Sequence, residues 1–325
     1  MNKKFLTLAA VMLLAVPVFA RTDAQGVIPS DAVTVGLVHL DQMRTSPLSS
    51  ALFQQTDKIA SDGDAAQFLL DAGLKPSQDI DLIVVATSPR TNLGKEADVI
   101  LAADGRFSVD RLTSALIARG AVSKTAPKGG VYFLLPEKSQ NDVSHQGAVA
   151  FPDSHLALAG TEAAVTAALA ARASGGTNFA SASVLGQQMS RIDGKATAWA
   201  LVDVTRAQRL VGSPHVSANS EAGAAVNTAL KNVSTVAVWA TDTGDMVKLG
   251  AFGLSSDGET LQLLEDTIRG ALSAMRLAVQ DKQPDMVTVL RRFSVSRSSD
   301  SVTISGSIPS ETFKKYAAAH HGASK

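Results

Sequence analysis

The amino-acid sequence predicts an α+β protein made of two tandem units, each an antiparallel sheet with helices packed on one face. Two apolar runs, residues 79–88 (DIDLIVVATS) and 234–243 (STVAVWATDT), have the composition of buried strands. The segments around the two runs correspond in type and order, which indicates an internal duplication. Each unit gives the order βαββαβ with one added strand and helix, and that core order is typical of a ferredoxin-like sandwich. The two sheets would either pair edge to edge through the duplicated strands or face each other across a cleft.

The first unit contains six predicted strands and three helical regions. The strands are predicted at residues 33–40, 81–87, 98–103, 131–135, 147–151 and 155–159. Helix is predicted for most of the thirty residues after Asp41, at residues 109–119 and at residues 162–173. Gly73 and Gly120 mark expected helix ends, because glycine is the residue that most often follows the last helical turn.

The second unit repeats this plan. Four of its segments can be aligned with the first unit, as 197–205 on 33–41, 238–242 on 84–88, 247–253 on 99–105 and 302–306 on 156–160. The offsets of 164, 154, 148 and 146 decrease along the chain. Successively shortened loops would produce this decrease, whereas chance matches would not be expected to keep chain order.

The strongest helical pattern lies at residues 259–279. Six apolar residues there are spaced by three or four, and they are Leu261, Leu264, Ile268, Leu272, Met275 and Val279. This spacing places them along one helix face, and burying six such side chains would contribute at most about 9–18 kcal/mol before chain entropy is counted. We expect this face to pack on the sheet. A shorter helix at residues 284–292 and a hairpin of residues 293–297 and 301–308 complete the unit.

The N-terminus has the form of a secretory signal peptide. Lys3 and Lys4 precede an apolar run of residues 5–16, and small or short residues stand at Val18 and Ala20. The run is shorter than the roughly 20 apolar residues of a membrane-spanning helix. We therefore expect cleavage between Ala20 and Arg21 and a periplasmic or secreted mature protein.

The predicted elements also set the domain boundaries. They are a signal peptide at 1–20, a leader at 21–30, a first unit at 31–175, a linker with a short helix at 176–195, a second unit at 196–318 and a disordered tail at 319–325. Residues 174–183 (SGGTNFASAS) are small, polar and rich in glycine. This composition is typical of a flexible connection.

Composition excludes several classes of partner and chemistry. After the first twenty residues, 28 basic and 30 acidic residues leave a formal charge of −2. A nearly neutral chain is a poor match for nucleic acid or for an anionic membrane surface. The chain has no cysteine, so disulfides, thiol catalysis and lipid attachment to cysteine are all excluded.

Motifs for catalysis, metals and nucleotides are absent from the sequence. The chain contains no G-x-S-x-G, no H-E-x-x-H, no G-x-x-x-x-G-K-[ST] and no G-x-G-x-x-G after a strand. The six histidines are scattered rather than spaced as metal ligands. We therefore expect no cofactor, no metal and no locally encoded catalytic centre.

Four residues are candidates for ligand binding. His39 and Asp203 end corresponding strands in the alignment of the two units, so a pseudo-twofold axis would place them at equivalent positions, close to each other. The alternative is that both residues solvate strand ends and cap the helices that follow. Trp199 and Trp239 lie on two predicted central strands, where they either pack in the core or form a wall on which a ligand stacks.

These observations favour an exported, non-enzymatic binding protein of the cell envelope. Its partner would be another envelope protein, a peptide or a small apolar ligand, and an exposed sheet edge would offer a surface for strand addition. Two alternatives stay open at this stage. One is a hydrolase-like enzyme whose site combines His39, Asp203 and Asp81 in space, and the other is a structural subunit of an oligomer.

Overall fold

The structure is a computed structural model that describes residues 23–44, 46, 64–90, 97–140, 143–211, 232–281 and 283–315. The predicted signal peptide and the predicted tail lie outside the described residues. Within them the chain forms an α+β fold with one large antiparallel sheet. The predicted fold class is confirmed at this level.

The described strands are named in chain order. They are β1 (Thr34–His39), β2 (Ile80–Pro89), β3 (Ala97–Gly105), β4 (Val122–Thr125), β5 (Val131–Leu134), β6 (Lys138–Gln140), β7 (Val143–His145), β8 (Gly147–Ala150), β9 (Leu156–Thr161), β10 (Ala198–Asp203), β11 (Thr235–Asp242), β12 (Met246–Leu254), β13 (Ser294–Arg297) and β14 (Ser301–Pro309). All except β4, β6 and β7 correspond to strands predicted from sequence.

The described helices are named in the same way. They are α1 (Asp23–Gly26), α2 (Leu40–Arg44), α3 (Asp64–Ala72), α4 (Pro76–Asp79), α5 (Val109–Ala118), α6 (Glu162–Ala173), α7 (Phe179–Ala182), α8 (Val184–Gln187), a 3₁₀ helix (Gln188–Arg191), α9 (Val204–Val211), α10 (Gly258–Val279) and α11 (Pro284–Arg291). The longest of them, α10, carries charged side chains along its length, and no helix among the described residues is long and apolar enough to cross a membrane.

Twelve strands form a single antiparallel sheet in the order β13-β14-β12-β11-β10-β1-β2-β3-β9-β8-β5-β4. The two halves of the chain join edge to edge, because β1 pairs with β10 from Thr34–Val202 to Val38–Ala198. Of the two arrangements that the sequence left open, edge-to-edge pairing is the one present. The predicted ferredoxin-like strand order, however, is wrong. A ferredoxin-like unit inserts another strand between the two strands that a helix connects, whereas here β1 and β2 pair directly although helices separate them in sequence.

Side chains alternate across this sheet, and helices cover parts of both faces. On the first face, Val35, Leu37 and Leu201 belong to one core cluster that also contains residues of α1, α6, α7 and α8. On the second face, α3 with α5 and α10 with α11 cover the two halves separately. The prediction that helices pack on one face is wrong, because these strands carry apolar side chains on both sides and both sides require cover.

The ladder keeps the first predicted alignment between the two halves and shifts the other three by one or two residues. Gly36 pairs with Ala200, as the offset of 164 requires. Val85 pairs with Gly36 and Val238 pairs with Ala200, so these two exposed valines hold equivalent places about the central strand pair. The sequence alignment put buried Val84 on Val238, which is a slip of one residue. Such a slip exchanges the two faces, and continuous apolar runs give no alternation to prevent it.

Segments predicted as a leader and a linker lie against the first face. Ala24 is fully buried, and Val27 and Ile28 are 2 % exposed. In the segment after α6, Phe179 and Leu185 are also 2 % exposed and belong to the same core cluster. Both segments therefore contribute core side chains rather than only connecting elements.

Helix α10 buries its first half only. Leu261 and Leu264 are buried against the second face, and Ile268 and Leu272 pack beside them. Met275, however, is 54 % exposed, so the prediction that the whole apolar stripe is buried is wrong for the last turns. A helix of 22 residues is about 33 Å long, and the C-terminal end of α10 extends beyond the strand side chains on which its first half packs.

An ion pair that joins the 3₁₀ helix to the β13–β14 turn predicts a dependence of stability on pH. Arg191 donates two hydrogen bonds to Asp300, at 2.5 Å and 3.3 Å, and holds the pKa of that carboxyl at about 2, below its ordinary 3.8. A lowered pKa stabilises the fold fully above the ordinary value, and this contribution is lost as pH falls towards about 2.

We therefore expect the difference in unfolding free energy between the wild type and Asp300→Asn to be constant above about pH 5 and to shrink below about pH 4. Both side chains are substantially exposed, so the total effect is small. Urea unfolding at several pH values measures it. A difference that does not change down to pH 2 would contradict the assignment.

Candidate functional site

An apolar pocket with a volume of about 920 Å³ lies between the second face of the sheet and helices α3 and α5. This volume is at the upper end of the range of ligand pockets, about 300–1,000 Å³. Phe68 from α3 and Leu112 and Leu116 from α5 form its helical wall. The pocket is therefore a cleft under a helix pair, built on a rigid sheet.

Small side chains on the sheet create the space for this pocket. Ala103 of β3, Ala157 and Ala159 of β9 and Gly147 of β8 form its floor. Ala103 and Ala157 pair directly across the two strands, so their methyl groups lie side by side. Larger side chains at these positions would fill the gap between the helices and the sheet.

Two phenylalanines also line the pocket. The rings of Phe107 and Phe151 lie 6.5 Å apart at an interplanar angle of 45°. Their position is fixed through the backbone, because the Phe107 N–H donates to the carbonyl of Ser154 at 2.8 Å. Aromatic walls of this kind provide a large apolar contact area for a ligand.

Arg119 is the one charged residue in the lining of this pocket among the described residues. It follows the last turn of α5, where its Nη1 donates to the Ala115 carbonyl at 3.2 Å and its Nη2 donates to Asp71 at 2.7 Å. The guanidinium also lies over the Phe68 ring, 5.4 Å from its centroid. These contacts hold a positive charge at the mouth of an apolar cavity.

Among the described residues, the corresponding place in the other half of the sheet is filled rather than open. There α10 packs directly on the strands, and a Cβ built on Gly253 would lie 3.2 Å from Leu264. The ladder positions that correspond to Ala157 and Ala159 hold Val302 and Ile304. Bulkier strand residues and a closer helix fill the volume that stays open under α3 and α5.

An apolar row continues from the pocket across the second face of the sheet. Leu101 lines the pocket and pairs with Val85, and the row then passes through Gly36 and Ala200 to Val238. Leu101, Val85 and Val238 are 37 %, 39 % and 48 % exposed. The pocket therefore opens towards further apolar surface.

The structure does not bring His39 and Asp203 together. The N–H of Asp203 donates to the carbonyl of Val33, and the N–H of His39 donates to the carbonyl of Thr197, both at 2.8 Å. The two residues thus lie at opposite ends of an antiparallel pair, separated by six residues or about 20 Å.

Each of these ionisable residues has local partners instead. Burial lowers the pKa of His39, while the Asp41 carboxylate, 3.7 Å from its Nδ1, acts in the opposite direction. Asp81 lies at the same end of the sheet as His39, but its carboxylate binds Arg44 at 2.6 Å. Asp203 accepts a hydrogen bond at 2.9 Å from the N–H of Arg206 at the start of α9, which is the capping role considered for it.

Trp199 and Trp239 pair directly with each other and pack against the core cluster of the first face. Leu37 pairs with Trp199 on one side, and Gly250 pairs with Trp239 on the other. The Trp239 and Phe252 rings lie 6.0 Å apart. Both tryptophans therefore lie on the face opposite to the pocket and do not contribute to its walls.

The pocket residues were missed in the sequence because each of them is ordinary by itself. Two alternate alanines in β9 and an arginine after a helix form no motif. The one usable signal is that β3 and β9 present alanine where strand residues under a helix are usually larger. Among the described residues, no group of three or more His, Asp or Glu side chains is placed to hold a metal ion.

Comparison with known proteins gives a match at the level of fold. Neither a protein-family model nor a curated protein matches the chain. Crystal form III of TP0453 aligns with a TM-score of 0.52 at 12 % identity, over 90 % of this chain and 97 % of that chain. Crystal forms I and IV of TP0453 give TM-scores of 0.46 and 0.49 at 10 % and 11 % identity, over 91 % and 90 % of this chain and 96 % and 95 % of theirs. At such identities the likeness concerns the fold alone.

Proposed function

We propose that the protein is a non-enzymatic binding protein and that its ligand is an apolar small molecule held in the pocket under α3 and α5. The observation that carries the proposal is the pocket itself, with about 920 Å³ of space between side chains that are almost all apolar. Transfer of an apolar ligand from water into such a pocket is favourable by about 0.8 kcal/mol for each CH₂ group that becomes buried.

The small floor residues support this proposal independently of the volume. Ala103, Ala157 and Ala159 occupy positions where leucine or isoleucine would stabilise the core by filling the space. In the other half, the positions that correspond to Ala157 and Ala159 hold the larger residues Val302 and Ile304. A ligand site requires such unfilled space, and here the space lies under α3 and α5, on this half of the sheet.

Export to the cell envelope is part of the same proposal. It is supported by the form of positions 1–20, which have a basic start, a short apolar run and a small residue at Ala20. We also propose that the two halves arose by duplication. The strand orders β1-β2-β3-β9 and β10-β11-β12-β14 run outwards in the same sequence from the central pair, which supports it.

The enzyme hypothesis has less support. His39 and Asp203 lie about 20 Å apart along paired strands, and Asp81 is engaged by Arg44. None of these residues lines the apolar pocket. A dispersed site made of these three side chains would need a different arrangement of the sheet.

Filling the floor of the pocket tests the proposed function. We expect Ala159→Leu to weaken the binding of the neutral fluorescent probe N-phenyl-1-naphthylamine at least about tenfold, since the larger side chain occupies space that the probe needs. Fluorescence titration of the purified protein, after removal of bound lipid, measures the change.

The matched control for this variant is Ala251→Leu. Ala251 is a half-buried alanine on the same face, in β12, outside the pocket lining. We expect this variant to bind the probe as the wild type does. Wild-type binding in Ala159→Leu, or no binding by the wild type, would contradict the proposal.

A further inference from the structure

We propose that the ligand of this pocket is an amphiphile with one anionic head, a carboxylate or a phosphate monoester, and that Arg119 binds that head. This inference rests on the proposed function, because it assumes that the pocket is a ligand site. It adds the chemical class of the ligand and the residue that recognises its polar end.

The first support is the distribution of charge around the cavity. Among the described residues, every side chain of the lining is apolar except that of Arg119. Arg119 also lines a shallow cleft on the solvent side of the helices, together with Asp71, Asp110 and Arg111. The guanidinium therefore lies between the apolar interior and water, where the head of an amphiphile would be placed.

The second support is the capacity of the guanidinium. Within the described part of the chain it donates two hydrogen bonds, one to Ala115 and one to Asp71, of the five that its N–H groups could form. A guanidinium binds planar carboxylates and phosphates through two parallel N–H···O bonds. Its two hydrogen bonds and its place over the Phe68 ring, 5.4 Å from the centroid, hold the guanidinium beside the pocket.

The third support is that the present partner of Arg119 can be exchanged. The pKa of Asp71 is lowered because Arg119 and Gln67 donate hydrogen bonds to its carboxylate, so it is an anion at neutral pH. Its side chain is 43 % exposed, and exposed ion pairs contribute little to stability. Asp71 would keep its hydrogen bond to Gln67 after release. It therefore acts as a weak internal competitor for an anionic ligand.

Single-chain amphiphiles that differ only in the head test this inference. Dodecanoic acid, dodecyl phosphate, dodecan-1-ol and dodecylamine would each displace the neutral probe from the purified protein, below their critical micelle concentrations. We expect the anionic compounds to bind roughly tenfold tighter than the alcohol and the amine to bind weakest, because a charge-assisted bidentate contact is gained only by the anions. The acid and the phosphate distinguish the two candidate heads.

Variants of the pair give changes of opposite sign. We expect Arg119→Gln to abolish the preference for anions over the alcohol, measured as the ratio of the two affinities within the same variant. Asp71→Asn should increase the preference about two- to fivefold, since the internal competitor loses its charge. Arg119→Lys keeps the charge without the bidentate geometry and should retain part of the preference.

The outcomes separate this inference from the proposed function. Equal binding of acid and alcohol by the wild type, or an unchanged preference in Arg119→Gln, would overturn the role of Arg119 and leave the apolar pocket as a site. Failure of the wild type to bind the probe and all four amphiphiles would overturn both. If Arg119→Gln does not fold, Asp71→Asn provides the test. A preference for anions over the alcohol that is unchanged or reduced in Asp71→Asn would overturn the role of Arg119.

Discussion

Replacing Phe179 by alanine is expected to lower the free energy of unfolding by about 3–5 kcal/mol, the cost of removing a fully buried aromatic side chain from a core. Phe179 is 2 % exposed and belongs to the core cluster of the first face, together with Leu37 and Leu201 from the two central strands. Truncation would leave a cavity beneath α7 that its neighbours cannot fill, because interiors relax only in part.

A matched control lies five residues further along the same segment. Val184 is 70 % exposed at the start of α8, and we expect Val184→Ala to change stability by less than about 0.5 kcal/mol. Urea unfolding followed by circular dichroism measures both variants. If residues 176–195 were a loose linker, the two substitutions would have similar, small effects, and such a result would contradict the packing seen in the structure.

The contrast between Phe179 and its neighbours explains why this segment was predicted as a linker. Its composition, SGGTNFASAS, is dominated by small and polar residues. Composition averages over the segment, whereas packing depends on the single large side chain in it. A sheet that extends across both halves needs cover on its first face, and that need arises only in the assembled fold.

Helices with a regular spacing of apolar residues over several turns were predicted well. Helix α10 begins at Gly258 after Asp257, whose carboxylate accepts from the N–H groups of Glu259 and Thr260, and it ends at Val279 as the periodicity indicated. Helix α6 begins after Thr161, whose side chain accepts a hydrogen bond from the N–H of Ala164, at the start predicted from sequence. The residues that decide such boundaries are adjacent in sequence, so no knowledge of the rest of the fold is needed.

Strand β4 shows the opposite case. Its four residues, Val122–Thr125, are all exposed, and they pair with β5 at the edge of the sheet. An exposed edge strand has no buried side to create an alternating pattern, so its sequence resembles a loop. Only the partner strand identifies it.

Strand order and the pocket could not be predicted for a related reason. The pairing of β1 with both β2 and β10 is a choice among long-range contacts, and the apolar runs involved would fit several neighbours. The pocket depends on the absence of large side chains between the helices and the sheet. Ala157 and Ala159 leave space only because α5 lies above them at a distance set elsewhere, and a sequence shows residues rather than gaps.

The second large effect concerns Gly250, which faces the indole of Trp239 on the first face. A Cβ built on Gly250 would lie 2.1 Å from the indole ring, far inside contact distance. The ring cannot move freely, because it packs beside Phe252 and pairs with Trp199 on the next strand. We expect Gly250→Val to lower the free energy of unfolding by about 3 kcal/mol through overpacking.

Gly258 provides the control for this substitution. It is the first residue of α10, and a Cβ built on it meets nothing within 4 Å, so Gly258→Ala should change stability by less than about 0.5 kcal/mol. The cause is tested by a double-mutant cycle with Trp239→Leu. Since the smaller side chain leaves room for valine, Gly250→Val should cost at least about 1 kcal/mol less in that background.

This cycle also decides the role of the tryptophan. If Trp239 is a core residue packed against Gly250, the coupling energy between the two substitutions is large. Probe binding by Trp239→Leu then stays at the wild-type level, because the pocket lies on the opposite face. If Trp239 instead forms a wall on which a ligand stacks, coupling is small and the variant loses binding. The close contact with Gly250 favours the first outcome, since a ring held this tightly has no free surface towards that strand.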